Sequence, residues 1–241
     1  MKRDAILRCS AMPVGAPSYG FPPFTFSERA ALTVQYASEP DAIRQALPEP
    51  LEPDGEMVSV SIVEAAESPF GAYRACTISL SARLEGRPVS YSHENFADQD
   101  ELIHASREIW GLPAANGSPE LVLGENRVAG VLNLGYVGHI RISIPVPEQM
   151  DTDTEAGATE GVSCKLIPGT DGTPAVAQLI SLTPTDVSVR ESWSGPAQLE
   201  ADPGGPLDSL PIKNVLTGRY VLGDMTLPYG RVVHDYLAAK G

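Results

Sequence analysis

His104-Ala-Ser-Arg-Glu-Ile-Trp-Gly-Leu-Pro-Ala-Ala-Asn-Gly-Ser-Pro-Glu-Leu121 is the stretch on which the reading of this chain turns. Its first residues complete a helix predicted over Asp98 to Trp110. Asp98 can cap that helix, Asp100 and Glu101 suit the positive end of its dipole, and Leu102, Ile103 and Ile109 make an apolar side. His104 and Glu108 stand one turn apart, a spacing at which helical side chains meet. Asn116-Gly-Ser118 fits a glycosylation sequon but reads as a turn, since the N-terminal residues lack the apolar segment of a signal peptide.

Strands surround this segment. Arg29 to Tyr36 reads as a strand, and Glu39 to Leu47 as a short helix with proline in its first turn. Met57-Val-Ser-Val-Ser-Ile-Val63 alternates apolar and small polar residues, as a half-buried strand does. Ala72 to Leu84 and Pro88 to Ala97 are joined by a hairpin turn at Glu85-Gly-Arg87. After the helix, Leu121 to Glu125, Arg127 to Leu134, His139 to Val146, Val162 to Pro168, Ala175 to Arg190, Tyr220 to Gly223 and Met225 to Leu227 are strand-like. Gly230 to Ala239 is a terminal element, helical if regular. Residues 11 to 27, rich in proline and glycine, are expected to lie extended over the body. The acidic run Glu148 to Gly161 has no apolar period and is expected to be an exposed loop, with a domain boundary as the alternative. Many short strands with few helices predict an α+β fold, antiparallel and β-rich, in one domain over residues 1–241.

Composition excludes several functions. With a net charge of -14 and no basic run, neither nucleic acid nor an anionic membrane is an expected partner. Cys9, Cys76 and Cys164 are odd in number and widely spaced, with no histidine at zinc-ligand spacing, so no metal site or disulfide framework is expected. No phosphate loop or dinucleotide fingerprint is present, no cofactor is expected, and a cytoplasmic protein is the reading. Lysine is scarce, at positions 2, 165, 213 and 240.

The 104–121 stretch resembles the signature segment of the acetoacetate decarboxylase family, where a Gly-Arg-Glu helix runs into an aromatic or apolar residue, a proline and two lysines. The resemblance extends through Pro48-Glu-Pro-Leu-Glu52, Lys165-Leu-Ile-Pro168, Asp171-Gly-Thr-Pro174, Thr185 to Pro196 with its Trp-Ser-Gly-Pro, Asp208 to Lys213 and His234-Asp-Tyr-Leu237. It implies a cone-shaped β-barrel with flanking strands and a few helices, assembled into a homo-oligomer. It also implies a pocket holding the lysine pair, an arginine and two glutamates. The family's first lysine forms a Schiff base with a β-keto acid and is the standing example of an amine activated by a neighbouring cation. Arg29 matches the arginine. Ser61 falls at the first glutamate and Ala75 at the second, with Arg74 and Cys76 left open by a one-residue ambiguity. Ala114 and Ala115 take the places of the lysines, and Lys165 and Lys213 match lysines outside the catalytic pair. Imine chemistry therefore has no amine at its position.

A pocket that exchanges charged groups for Ser and Ala is expected to be larger and more apolar, suited to a small-molecule carbonyl substrate bigger than acetoacetate. Arg29 either holds a carboxylate or enolate oxygen there or pairs with a surface acid. In Tyr91-Ser-His-Glu-Asn-Phe96, strict alternation puts Ser92, Glu94 and Phe96 on one face. Glu94 is then a candidate general acid or base with its pKa raised by burial, or else an exposed or interface glutamate. His93 is expected to make a structural hydrogen bond. His104 is a candidate near the pocket mouth, or merely a helix-surface partner of Glu108. Trp110 and Leu112 line or close the cavity, with Ser61, Ala75, Ala114 and Ala115. The resulting expectation is an enzyme without a Schiff base, performing cyclisation, dehydration or isomerisation of a polyketide-like or β-keto intermediate. The alternatives are a noncatalytic carrier of a hydrophobic metabolite and a lysine-independent decarboxylase.

Overall fold

The computed structural model describes residues 1–147 and 159–238. The principal sheet contains β1 (Phe24–Ala37), β2 (Glu52–Glu67), β3 (Tyr73–Leu84), β4 (Arg87–Ala97), β5 (Ala114–Asn116), β9 (Gly161–Pro168), β10 (Pro174–Leu182), β11 (Thr185–Gly195), β13 (Asn214–Leu227) and β14 (Arg231–Asp235). Its order is β11-β13-β1-β2-β3-β4-β9-β10-β14, with β5 also paired to β4. A second sheet, in the order β12-β8-β7-β6, is made by β6 (Ser118–Leu123), β7 (Arg127–Asn133), β8 (His139–Pro145) and β12 (Gln198–Ala201). The strand-rich α+β fold expected from the sequence is present. Pairing is antiparallel except at β4–β5 and β4–β9, which are parallel. The acidic run lies mostly outside the described residues.

Two cores divide the principal sheet by face. Leu32, Val34, Val58, Val60, Ile62, Cys76, Ile78 and Leu80 point to one side and pack on Val128, Leu132, Ile140, Ile142 and Ile144 of the second sheet, with Ile43 from α2 (Pro40–Ala46), the helix that follows the short N-terminal α1 (Arg3–Ile6). The other face carries Ala31, Val63, Ala65, Tyr73, Ala75 and Ala97, which pack beneath Leu102, Ile103 and Ala105 of α3 (Asp100–Ala105) and Trp110. The period-2 pattern of these strands follows from this two-sided arrangement.

The sheet curls around the segment that contains Trp110. Phe24 on β1 meets the indole edge-on at 5.9 Å, and the Trp110 carbonyl accepts from Ser163 on β9. Those strands are four steps apart in the sheet, roughly 19 Å if it were flat. One residue touches both only because the sheet bends.

Several boundaries differ from the expectation. Gly230 to Ala239 supplies the edge strand β14, pairing with β10 through Gln178 to Ser181. Residues 175–190 divide into β10 and β11, and 220–227 belong to one longer strand. The signature helix is α-helical only to Ala105 and continues as a π-helix over Ser106–Trp110. Asp98 does not cap it: its carboxylate accepts from the Arg74 amide at 2.8 Å, and Gln99 holds the cap position without a side-chain bond. No helix among the described residues is long and apolar enough to cross a membrane.

Candidate active site

Of the five positions matched to the family's pocket, four lie on the second face of the principal sheet, and strand register sets their order. Side chains opposite one another across the sheet form lateral rows about 4.8 Å apart from strand to strand, and rows on one face repeat about every 6.6 Å along the strands. One row runs Ser194, Arg219, Thr33, Ser61, Thr77, Asn95, Ala114 through β11, β13, β1, β2, β3, β4 and β5. The row beside it, toward the α3 end, is apolar and small: Val221, Ala31, Val63, Ala75, Ala97. Beyond that come Gly223, Arg29, Ala65 and Tyr73. On the other side lie Thr217, Gln35, Ser59, Ser79 and Ser92. Ser61, Ala75, Ala114 and Arg29 thus share one face. Ala115, beside Phe96 in the parallel pairing, takes the opposite one.

The ambiguity at the second glutamate position resolves in favour of Ala75. Arg74 is turned outward to Glu64 at 3.5 Å and Asp98 at 4.0 Å, and Cys76 belongs to the other core. The expected enlargement of the pocket is corrected. Ala75 and Ala114 are only 8% and 4% exposed, because Trp110, Tyr73, Leu102 and Ile103 occupy the space around them. An open volume of about 500 Å³ lies instead over Thr33, Gln35, Ser194, Thr217, Arg219 and Val221, and its wall mixes polar and apolar surface.

Arg29 is aimed by a β-bulge. The register of β1 with β13 shifts between Phe26 and Arg29, where Glu28 takes a positive φ of 51°. Asp224 pins the bulge by accepting from the Glu28 amide at 2.9 Å and from Arg190 at 2.8 Å. Arg190 also reaches Glu28 at 3.3 Å. Bulges re-aim side chains in this way. The Arg29 guanidinium lies close to Tyr73: burial pushes that phenol's pKa up, and the guanidinium charge pulls it back. Since Tyr73 is two strands from Arg29 in the same row, the guanidinium reaches across β2. The alternative pairing of Arg29 with a surface acid is not found among the described residues. Its Nε is buried without a hydrogen-bond partner, an arrangement that costs about 1–3 kcal/mol unless a ligand supplies an acceptor.

The signature segment closes this face. Trp110 is fully buried, and its Nε1 donates to the Pro228 carbonyl at 2.9 Å. Gly111, at φ +71°, ends the π-helix and turns the chain toward β5. Lys165 crosses beneath and donates through Nζ to the carbonyls of Glu108 and Ile109, the latter at 3.4 Å. Burial lowers the Lys165 pKa, opposed by the Glu108 charge. The expected His104–Glu108 pair is absent, because Glu108 instead accepts from the Tyr19 hydroxyl at 2.7 Å. His104 is exposed and lines a separate cleft of about 390 Å³ with Arg107, Leu112, Pro113 and Leu166. Leu112 also packs against the apolar cluster around Trp110.

Glu94 does not face the candidate site, which corrects its assignment as acid or base there. A bulge at His93 interrupts alternation: Ile78 opposes Glu94, whereas Ser79 opposes Ser92. Ser92 therefore joins Asn95 on the site face, and Glu94 and Phe96 turn to the opposite side. There they line a cavity of about 560 Å³ with Asn116, Ser118, Asn133 and Leu134. Burial raises the Glu94 pKa, as anticipated, but in this other setting. Burial also raises the nearby Cys76 thiol to about 12, with the Glu94 charge contributing. Burial lowers the His93 pKa.

The sequence reading did not single out Thr33, Tyr73, Thr77 or Asn95. Thr33 donates to Ser61 Oγ at 3.0 Å, and Asn95 Nδ2 donates to Thr77 Oγ1 at 2.7 Å. Only register brings these residues together, although the alternating serines and threonines of β2 and β3 were a signal that this face is polar. No cluster of three or more potential metal ligands occurs among the described residues.

Comparison with known proteins accords with this geometry. The family model described as acetoacetate decarboxylase matches residues 11–237. An acetoacetate decarboxylase of Burkholderia cenocepacia is 31% identical over 245 residues, covering 98% of each chain. A structure from structural studies of acetoacetate decarboxylase superposes with a TM-score of 0.92 at 28% identity, covering 98% of this chain and 100% of that one. The acetoacetate decarboxylase of Legionella pneumophila gives 0.86 at 30% identity and 95% coverage of both. These relatives are named for decarboxylation, which overturns the expected cyclisation, dehydration or isomerisation of a polyketide-like intermediate and displaces the carrier reading. With its matched length and its fold, this chain belongs to the acetoacetate decarboxylase family of enzymes.

Proposed function

We propose that this chain is a lyase that decarboxylates a β-keto acid without forming an imine at position 114. The observation that carries the reading is full-length similarity to relatives named acetoacetate decarboxylase, joined to an alanine methyl where the family's amine would stand. The other lysines offer no replacement among the described residues. Lys165 Nζ is engaged with two backbone carbonyls, Lys213 pairs with Glu39 at 3.2 Å, and Lys2 is exposed near the N-terminus.

A β-keto acid can lose carbon dioxide from its keto form when the charge left behind is stabilised as an enolate. The net charge of -14 disfavours an anionic substrate, so a sheltered cation is needed to seat its carboxylate. Arg29 takes that part. A contact to the carboxylate is strongest in the ground state, because the charge leaves that group as carbon dioxide forms, so its loss raises KM and does not lower kcat.

The test is carbon dioxide release from acetoacetate and a series of longer 3-oxo acids, with borohydride added during turnover and intact protein mass measured afterwards. Turnover with unchanged mass supports the reading, and Arg29→Gln should raise KM at least tenfold, the equivalent of one lost charge-assisted hydrogen bond of about 1.5–3 kcal/mol. A reduced substrate adduct on any lysine refutes the imine-free mechanism, and no turnover of any 3-oxo acid refutes the activity.

A further inference from the structure

The hydroxyls of Ser61 and Thr77 stand directly opposite one another across β2 and β3 on the site face. Each already accepts a hydrogen bond from its outer neighbour: Ser61 Oγ from Thr33 at 3.0 Å and Thr77 Oγ1 from Asn95 Nδ2 at 2.7 Å. A hydroxyl has one proton to donate. Neither of these bonds uses the proton of Ser61 or Thr77, so two O–H donors remain, held between the same flanking partners and about 5 Å apart at their Cβ atoms. Both residues are half-buried, and Asn95 is 9% exposed. Ala114 extends the same row by one strand, and the 500 Å³ cavity opens from Thr33 at its other side.

We infer that Ser61 and Thr77 form a paired hydroxyl donor site for the ketone oxygen of the substrate, with Thr33 and Asn95 as positioning residues. The inference deepens the decarboxylase reading and rests on it for the identity of the reaction. The bond between the carboxyl carbon and the α-carbon breaks, and carbon dioxide leaves. The electron pair forms a carbon–carbon double bond to the carbonyl carbon, and the carbonyl π electrons become the oxygen's negative charge. Protonation of the α-carbon by water, which returns hydroxide, restores the ketone. The charge develops on the ketone oxygen only as carbon dioxide departs, so preorganised donors aimed there act on the transition state. The bonds from Thr33 and Asn95 restrain the two oxygens before the substrate arrives. A protonated imine would supply the same electrostatic service covalently, and the paired hydroxyls supply it in a row that has no amine.

Ser61→Ala and Thr77→Val are the informative variants, with Thr77→Ser as the conservative control. On the 3-oxo acid the protein turns over, each of the first two should lower kcat on the order of 10²-fold with little change in KM, as loss of one oxyanion donor does. Thr77→Ser should retain most of kcat, and thermal melting checks that each variant is folded. A second readout does not need turnover: acetylacetone ionises to an enolate, and the pH at which its protein-bound form does so, followed by ultraviolet absorbance, should rise in Ser61→Ala and Thr77→Val. Unchanged kcat in folded variants overturns the donor pair and leaves the decarboxylase reading intact. Absent turnover with donor-dependent acetylacetone ionisation overturns that reading and keeps the pair. If the protein neither turns over a 3-oxo acid nor binds acetylacetone, both fall.

Discussion

Replacing Gly111 with alanine tests the hinge that delivers the chain from the π-helix to Ala114. Gly111 has φ +71°, and a Cβ built on it would lie 2.4 Å from Lys165 Cβ, 2.6 Å from its Cα and 2.9 Å from its backbone nitrogen. Two of those atoms are backbone of β9, which is held by pairing with β4 and β10, so no rotamer change relieves the contact. Left-handed backbone costs an L-residue roughly 1–2 kcal/mol, and overpacking against fixed atoms adds about 1–3 kcal/mol. Gly111→Ala should therefore lose about 2–5 kcal/mol, and at roughly 2–4 °C per kcal/mol for a chain of this size Tm should fall by about 10 °C. Gly86→Ala isolates the backbone contribution. Its φ is +78°, yet nothing lies within 4 Å of an added Cβ, so it should lose only about 1–2 kcal/mol. Urea unfolding of both variants beside the parent gives the comparison. Equal losses would refute the close approach of Gly111 to β9, and with it the account of how Ala114 is placed beside Asn95.

Other perturbations probe the packing and charge around the same face. Ala114→Lys inserts an ammonium into an apolar cluster, so it should be overpacked by about 1–3 kcal/mol. Burial should also lower the new amine's pKa. The folded state then binds fewer protons than the unfolded one up to the ordinary lysine range, so the stability deficit should be greatest near neutrality and shrink toward pH 10, read by urea titration at several pH values. A deficit independent of pH would show the amine escaping to solvent. Glu94→Gln works through the opposite sign. Because burial raises the Glu94 pKa in the fold, the folded state binds the extra proton between the ordinary glutamate range and that raised value, and stability falls as pH rises through this window. The glutamine variant should melt higher than the parent at pH 7 to 8, with the difference vanishing below pH 4. Trp110→Phe removes the indole donor to the Pro228 carbonyl and should cost about 1–3 kcal/mol if that acceptor is left dry. A loss below about 0.5 kcal/mol, within the ordinary range for surface substitutions, would mean that water replaces the indole.

What the sequence could reveal about the site depended on how local each cause is. The strand of residues 57–63 was legible because Val58, Val60 and Ile62 answer to one buried face, a relation contained within seven residues. The full family motif was legible for the same reason: Arg-Glu, Pro113 and the absent lysines are all read within ten residues. Glu94 failed because one inserted residue reverses every later assignment on a strand. The bulge at His93 is a property of the pair β3–β4, settled by which of their side chains pack on the second sheet, and no pattern within residues 91–96 encodes it. The row Thr33, Ser61, Thr77, Asn95 is harder still to see, since its members are 16 to 28 residues apart and only three successive registers align them. The resemblance marked Ser61 as a loss because it compared one position with a glutamate. In the folded sheet the same serine gains an opposite hydroxyl and a flanking donor on each side of the pair. A replaced charge at one position therefore says little about chemistry until its neighbours across the sheet are known, and Thr77 and Asn95 are where a change in mechanism would have to be written.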